Sequence, residues 1–198
     1  LTREKPEVTD VIPFNGYDET YVLQIASSSE VKSEHPIAQA IVKKAHKKNI
    51  PILGVSDFNS ITGYGVTAKH NERRIRIVSP RSKNNVANDI ENTLAAKSNS
   101  LQNNSIPKEP QSKVFELESE GKTVVTVFME DKLAGLIAVA DTLRDNSIET
   151  VKQIHSMGKE IILLSGDNER TAKAIAKKLG IQNVLAEVLP QQKAEKIR

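Results

Sequence analysis

Hydrophobic positions recur with two different periods along this 198-residue chain, and the period changes name its elements. Residues 1–16 read as extended, because Pro6 and Pro13 exclude a helix and Asn15-Gly16 makes a turn. Asp18 then caps a helical run in which Tyr21, Val22, Ile25 and Ala26 follow the helix period. A break is predicted near Ser27-Ser28-Ser29, before a second helix opened by Ser33-Glu34-His35-Pro36. Proline suits a first helical turn, where its missing N–H would have no partner. Ile37, Ala38, Ile41, Val42 and Ala45 form the stripe this helix buries. Lys43, Lys44, Lys47 and Lys48 mostly fall outside it and read as a solvated face.

Strands are predicted at Ile52–Phe58, Gly65–Lys69 and Arg73–Val78, and a helix at 83–97 through Val86, Ile90, Leu94 and Ala95. From Ser98 to Ser112 the chain turns to Asn, Ser, Gln and Pro, the composition of an exposed loop. Thr123–Met129 and Leu133–Ala140 read as a hairpin joined by Glu130-Asp131-Lys132. From Asp141 the texture changes: a helix over Asp145–Met157, a continuous apolar strand at Ile161–Leu164, a turn at Ser165–Asn168, a helix ending near Gly180 and a short strand at Val184–Ala186. Such alternation belongs to a parallel α/β sheet, whereas the earlier region reads as antiparallel α+β. Two domains meeting near residue 140 follow.

Composition narrows the function classes. Apolar residues make up 38% and charged residues 27%, the ratio of a soluble globular protein. Aromatics are 4%, with no Trp, which excludes a stacking platform for single-stranded nucleic acid. A net charge of +3 is too even for strong non-specific DNA binding, so no nucleic-acid partner is expected. Without Cys there is no disulfide framework, thiolate metal site or Cys nucleophile. The longest apolar run, Leu133 to Ala140, is far short of the roughly 20 residues of a membrane helix. Lacking both an initiator Met and an apolar signal core, the N-terminus reads as a cut from a longer chain.

Candidate chemistry concentrates in two places. Ser165-Gly166-Asp167-Asn168 lies between the C-terminal end of a predicted parallel strand and a helix, where α/β folds place ligands. Ser165 offers a hydroxyl, Gly166 permits close backbone approach, and the helix N-terminus favours an anion. Asp167 serves equally well as a cap of that helix or in phosphate or metal-shell work. Lys193 is either a solvated helix lysine or a point charge against a phosphoryl group. The other place is Glu30 with Ser33-Glu34-His35-Pro36, together with Gly63-Tyr64-Gly65. At a helix N-terminus the dipole disfavours an imidazolium, so a neutral His35 can stack on a nucleobase or donate to phosphate; a purely structural His is the alternative. The glycine pair lets backbone approach a ligand, but with Ala68 as its next member it is no dinucleotide fingerprint.

Together these segments resemble the large cytosolic loop of a P-type ATPase of the heavy-metal-transporting class. Ser33-Glu34-His35-Pro36 is similar to the nucleotide-domain signature of that class, and Glu30 stands five residues before the His, as its adenine-contacting Glu does. Gly63 and Gly65 match the glycine pair beside the nucleotide. Ser165-Gly166-Asp167-Asn168 resembles the TGDN motif of the phosphorylation domain, with Ser for Thr. Asp141-Thr142-Leu143-Arg144 and Ala186-Glu187-Val188-Leu189-Pro190 with Lys193 match its flanking segments. The order and spacing agree over nearly the whole chain.

The resemblance implies a nucleotide-binding domain with an antiparallel sheet flanked by helices, joined to a partial Rossmann-like, haloacid dehalogenase-like phosphorylation domain. It implies 1–7 as phosphorylation-domain segment and hinge, 8–140 as nucleotide-binding domain and 141–198 as partial phosphorylation domain. ATP is then held at Glu30, Glu34, His35, Gly63 and Gly65, and Ser165, Gly166, Asp167 and Lys193 serve phosphoryl transfer with Mg²⁺. The implied setting is the cytoplasmic face of a membrane, the implied partners the transmembrane and actuator domains of the same pump. Copper is the favoured cargo, not bound by this segment. Leu1-Thr2 resembles the end of the DKTGTLT motif, so the phosphate-accepting Asp is expected just upstream and the Mg²⁺-holding GDGxND segment downstream. Ser79-Pro80 stand where the family carries Gly-Asn, which predicts weaker ATP binding. Asn84 and Asn85 are the nearest substitutes. The rivals are a soluble haloacid dehalogenase-type phosphatase with a cap domain and a non-catalytic nucleotide-binding module.

Overall fold

A computed structural model describes residues 5–61, 65–78, 108–141 and 143–188. Leu1-Thr2, Gly63, Ser79-Pro80, the predicted helix at 83–97 with Asn84 and Asn85, Thr142, Pro190 and Lys193 lie outside the described residues. The elements are β1 (Glu7–Pro13), α1 (Glu19–Glu30), α2 (Pro36–Lys47), β2 (Ser56–Ile61), β3 (Gly65–His70), β4 (Arg73–Val78), α3 (Lys108–Ser119), β5 (Thr123–Met129) and β6 (Lys132–Ala140). After them come α4 (Ser147–Ser156), β7 (Ile162–Leu164), α5 (Glu169–Leu179) and β8 (Asn183–Leu185).

The first six strands form one sheet, in the order β1-β6-β5-β4-β3-β2, with every neighbouring pair antiparallel. β7 and β8 form a second, parallel pair. The change from antiparallel to parallel pairing therefore falls where the hydrophobic pattern changes. β1 lies at an edge, where Pro13 costs no ladder bond on its open side.

Because strand side chains alternate faces, β5 divides its residues between two layers. Val125, Val127 and Met129 join Val22, Leu23, Ile25, Ile41, Ile75 and Ile77 beneath α1 and α2. Val124 and Phe128 face the other way, against Val114 and Leu117 of α3. Burial on both faces is why β5 and β6 read as near-continuous apolar runs. Gly135 of β6 serves the first layer: a Cβ there would lie 2.8 Å from the Ile12 carbonyl oxygen and 2.8 Å from Val22, so glycine lets α1 approach the sheet. A third cluster, Val151, Leu163, Ala176, Leu179 and Ile181, holds α4 and α5 to the parallel pair.

Three local expectations need correction. The predicted break at Ser27-Ser28-Ser29 is absent, and α1 runs through these serines to Glu30. Each hydroxyl donates back to a carbonyl of its own helix (Ser27 and Ser28 to Gln24, at 3.0 and 2.6 Å, Ser29 to Ile25 at 2.9 Å), so a polar triplet is buried without interrupting it. The first strand after α2 begins at Ser56, not Ile52, since the Leu53 amide donates to Ser28 Oγ (2.9 Å) instead of entering a ladder. Finally, α3 occupies Lys108–Ser119, so the predicted loop over 98–112 overlaps a helix from Lys108 onward.

Candidate functional site

The Ser165–Asn168 turn is built by the strand on either side of it and by the helix it opens. The Ser165 amide donates to the Leu185 carbonyl (2.9 Å), Val188 N–H to the Ser165 carbonyl (3.1 Å) and Glu187 N–H to the Asp167 carbonyl (2.9 Å). The chain after β8 thus fastens the turn at the C-terminal end of the parallel pair. Inside it, Ser165 Oγ donates to Asp167 Oδ2 (2.7 Å) and accepts from the Asp167 amide (3.1 Å). Thr123 Oγ1, from the start of β5, donates to Asp167 Oδ1 (3.3 Å). The helix cap is Asn168, whose Oδ1 accepts from Thr171 N–H (3.0 Å). Asp167 is therefore not the capping residue, and its carboxylate belongs to the turn. A Cβ on Gly166 would meet the Val188 carbonyl oxygen at 3.5 Å, ordinary contact, so no clash dictates glycine there.

The second candidate cluster lies on the α1–α2 connection. His35 caps α2, its Nδ1 accepting from Ile37 N–H (3.2 Å), so the proton of a neutral ring sits on Nε2. Glu34 and His35 are exposed. Glu30, the last residue of α1, is not: only 7% of it is exposed, and its Oε2 is buried without a hydrogen-bond partner among the described residues. Burial pushes its carboxyl up to about 7, against a smaller opposing pull from the Ser33 side chain. Ser33 N–H donates to the Glu30 carbonyl (2.9 Å), so one tight turn carries Glu30, Ser33 and His35.

Gly65 has a structural reason of its own. It opens β3 opposite Val78 at φ +148°, and a Cβ would stand 2.0 Å from the Ile77 carbonyl oxygen. The sheet itself demands glycine there, whatever else its backbone meets.

Sequence reasoning missed the residues that join the two regions. Glu118, near the end of α3, is fully buried. Its Oε1 accepts from Asn168 Nδ2 (3.0 Å) and its Oε2 from Arg170 Nε (2.5 Å), while the Arg170 guanidinium lies over the Phe115 ring at 4.4 Å. Burial raises the Glu118 carboxyl above its ordinary value, and Arg170 pulls it back. Thr171 Oγ1 donates to the Lys122 carbonyl (2.8 Å). Nothing in the sequence singled out Glu118, Thr123 or Arg170; Asn168 stood within the motif without a role.

Among the described residues no group of three or more His, Asp or Glu is arranged to hold a metal ion, and no helix is long and apolar enough to cross a membrane. The class that this fold falls in is a hydrolase family: the chain matches the haloacid dehalogenase-like hydrolases over residues 1–198 and belongs to that family. Within it, the chain is 38% identical over 197 residues to a copper-exporting P-type ATPase of Bacillus subtilis, and 35% identical over 198 residues to one of Staphylococcus saprophyticus. These matches take in 100% of this chain but 22% of each relative, so the chain spans about a fifth of their length. A zinc-transporting PIB-type ATPase solved in its E2.Pi state aligns with a TM-score of 0.65 at 31% identity, over 100% of this chain and 29% of that one. The catalytic domain of the CPx-ATPase CopB-B, solved in a study of nucleotide binding, aligns at 0.67 and 26%, over 100% and 61%. The resemblance to heavy-metal P-type ATPases read from the motifs is thus borne out, as is the mixed α/β fold.

Proposed function

We propose that this chain is the nucleotide-binding domain, with part of the phosphorylation domain, of a P-type ATPase that exports a heavy metal, copper by the names of its relatives. On this reading residues 8–140 hold ATP, 141–198 belong to the phosphorylation domain and 1–7 form its entering segment. The observation that carries the proposal is Glu30: a carboxylate oxygen buried without a partner among the described residues, on the same tight turn as His35. Leaving a buried acceptor unsatisfied costs about 1–3 kcal/mol. The exocyclic amine of adenine is a donor that would satisfy it, with the exposed His35 ring and Glu34 beside it. Gly63 and Gly65 would then follow the nucleotide's edge.

At the other end, Ser165, Gly166 and Asp167 would line the phosphoryl pocket, with Lys193 as a neutralising charge. The acceptor is, by resemblance, an aspartate upstream of Leu1, so this chain alone is expected not to autophosphorylate. Forming and then hydrolysing an aspartyl phosphate splits one difficult step into two. Mg²⁺ would arrive with ATP and neutralise phosphate charge. Both Asp167 oxygens are already engaged by hydroxyl donors, so no residue of the turn is assigned to the ion. The transmembrane and actuator domains of the same pump are the implied partners, on the cytoplasmic face of a membrane, and the transported ion would bind them rather than this chain.

The soluble phosphatase shares the family match, but a phosphatase cap need not hold adenine, and a Glu30 oxygen without a partner among the described residues, beside an exposed histidine, favours the pump. Calorimetric titration with a non-hydrolysable ATP analogue separates the two. Saturable binding that weakens with His35→Ala and survives Asp167→Ala is expected. Binding indifferent to His35 would remove adenine from this turn. Gly-Asn in place of Ser79-Pro80 should tighten binding.

A further inference from the structure

The geometry points to Glu118 as a positioning residue: its buried carboxylate fastens the Ser165–Asn168 turn to the six-stranded unit that carries the proposed nucleotide site. The role of that turn in phosphoryl transfer rests on the proposed function, but the fastening does not.

Glu118 is fully buried at the end of α3, where an unpaired carboxylate would be strongly disfavoured. Both of its oxygens are satisfied, and both donors come from the first turn of α5, not from its own unit. Asn168 is the pivot of the arrangement. Its side-chain oxygen caps α5 while its side-chain nitrogen donates to Glu118, so one amide ties the helix start to α3. Arg170 adds a charge-assisted bond at 2.5 Å, and its guanidinium lies over the ring of Phe115, which is still 57% exposed. A carboxylate at a helix N-terminus also meets the positive end of the backbone dipole.

Two further bonds cross at the same place. Thr171 Oγ1 donates to the Lys122 carbonyl (2.8 Å) and Thr123 Oγ1 to Asp167 Oδ1 (3.3 Å). The α3–β5 connection therefore grips the turn at its carboxylate, its cap and its first helical residues. Three short side chains and one buried glutamate fix where Asp167 stands relative to the sheet that α1, ending in Glu30, packs on.

A swap of donor and acceptor tests this in the 198-residue chain. Asn168→Asp keeps a capping oxygen, since Asp caps as well as Asn, but sets a second carboxylate against Glu118. The amides of Glu187 and Val188, bonded to the turn, should then exchange about 10- to 150-fold faster, the ratio expected when one charge-assisted bond is lost. Amides of the β5–β6 ladder should keep their protection. Because the chain has no Cys, spin labels can be placed at Lys132→Cys and Lys159→Cys alone, both exposed, and their distance distribution should broaden. Adding Glu118→Gln restores an amide facing a carboxylate from the opposite side, and both readouts should return toward wild type. Glu118→Gln by itself, which keeps the shape, is the milder second variant and should accelerate turn exchange alone. Unchanged exchange and distances in Asn168→Asp, or a double variant that fails to recover, would overturn the assignment. No step uses nucleotide, so a chain that binds no ATP analogue would sink the pump reading and leave this one standing.

Discussion

Glu30 and Glu118 are both buried glutamates at the end of a helix, and they are used in opposite ways. Glu118 has both oxygens paired with donors from another unit of the chain. Among the described residues Glu30 keeps one oxygen without a partner, and burial, opposed only in part by the Ser33 side chain, pushes its carboxyl up to about 7. A buried carboxylate with every oxygen paired is a fastening. Under the proposed function, one with an oxygen to spare would meet a donor from outside, and the stability given up there would be the usual trade at a binding site.

Arg170→Met breaks the comparison from the Glu118 side and should have the largest effect. It leaves a buried carboxylate without its cation, a loss of about 3–5 kcal/mol in denaturant unfolding at neutral pH or above. The cost should shrink toward acid pH, where Glu118 binds a proton and no longer needs the arginine. ATP-analogue affinity should be little changed.

Glu30→Gln works from the other side. The Glu30 carboxyl rises from 4.5 to about 7 on folding, so the neutral form's contribution is full below 4.5 and is lost as pH rises through 7. Glutamine has no such loss. The variant should unfold later than wild type above pH 7, by on the order of 3 kcal/mol, with the gap closing by pH 4.5. Equal pH profiles would mean that Glu30 titrates normally. A variant that is more stable yet binds the ATP analogue more weakly would sharpen the contrast most.

The smallest effect belongs to Thr123→Val, which removes the hydroxyl reaching Asp167 while keeping the shape of β5. About 0.5–1.5 kcal/mol is expected in thermal melts, with Asp167 looser in the turn.

What the sequence made legible depended on whether apolar period or cap chemistry carried the element. The β5–β6 hairpin, the Asp18 cap, the helix opened at Ser33–Pro36 and the parallel pair are written in alternation, capping residues and Gly180, whose φ of +75° ends α5. α3 escaped because its buried face is sparse: Pro110, Val114 and Leu117 are its apolar members, and the residue buried beside them is the charged Glu118. A helix that buries a glutamate sends no hydrophobic signal at that position. The serines of α1 misled for the converse reason, since residues that usually break a helix can bond into it. At the candidate site, a motif could name Ser165, Asp167, Glu30 and His35. It could not separate Asp167 from Asn168 as cap, nor show that Gly65 answers to the Ile77 carbonyl. Glu118 and Arg170 stand 52 residues apart, and only the folded chain makes them a pair.

The register of β1 against β6 sets a mechanical property. Glu7 faces Ala140, and the Lys5 amide reaches Asp141 Oδ1 (3.3 Å), so the chain enters and leaves the six-stranded sheet side by side. Tension applied at that point would peel the β1–β6 ladder one bond at a time, where shear would load all of them together. The same placement sets the two ends a strand's width apart, about 5 Å. A module with such ends can be spliced into a host chain, or cut out of one, without moving the segments that flank it.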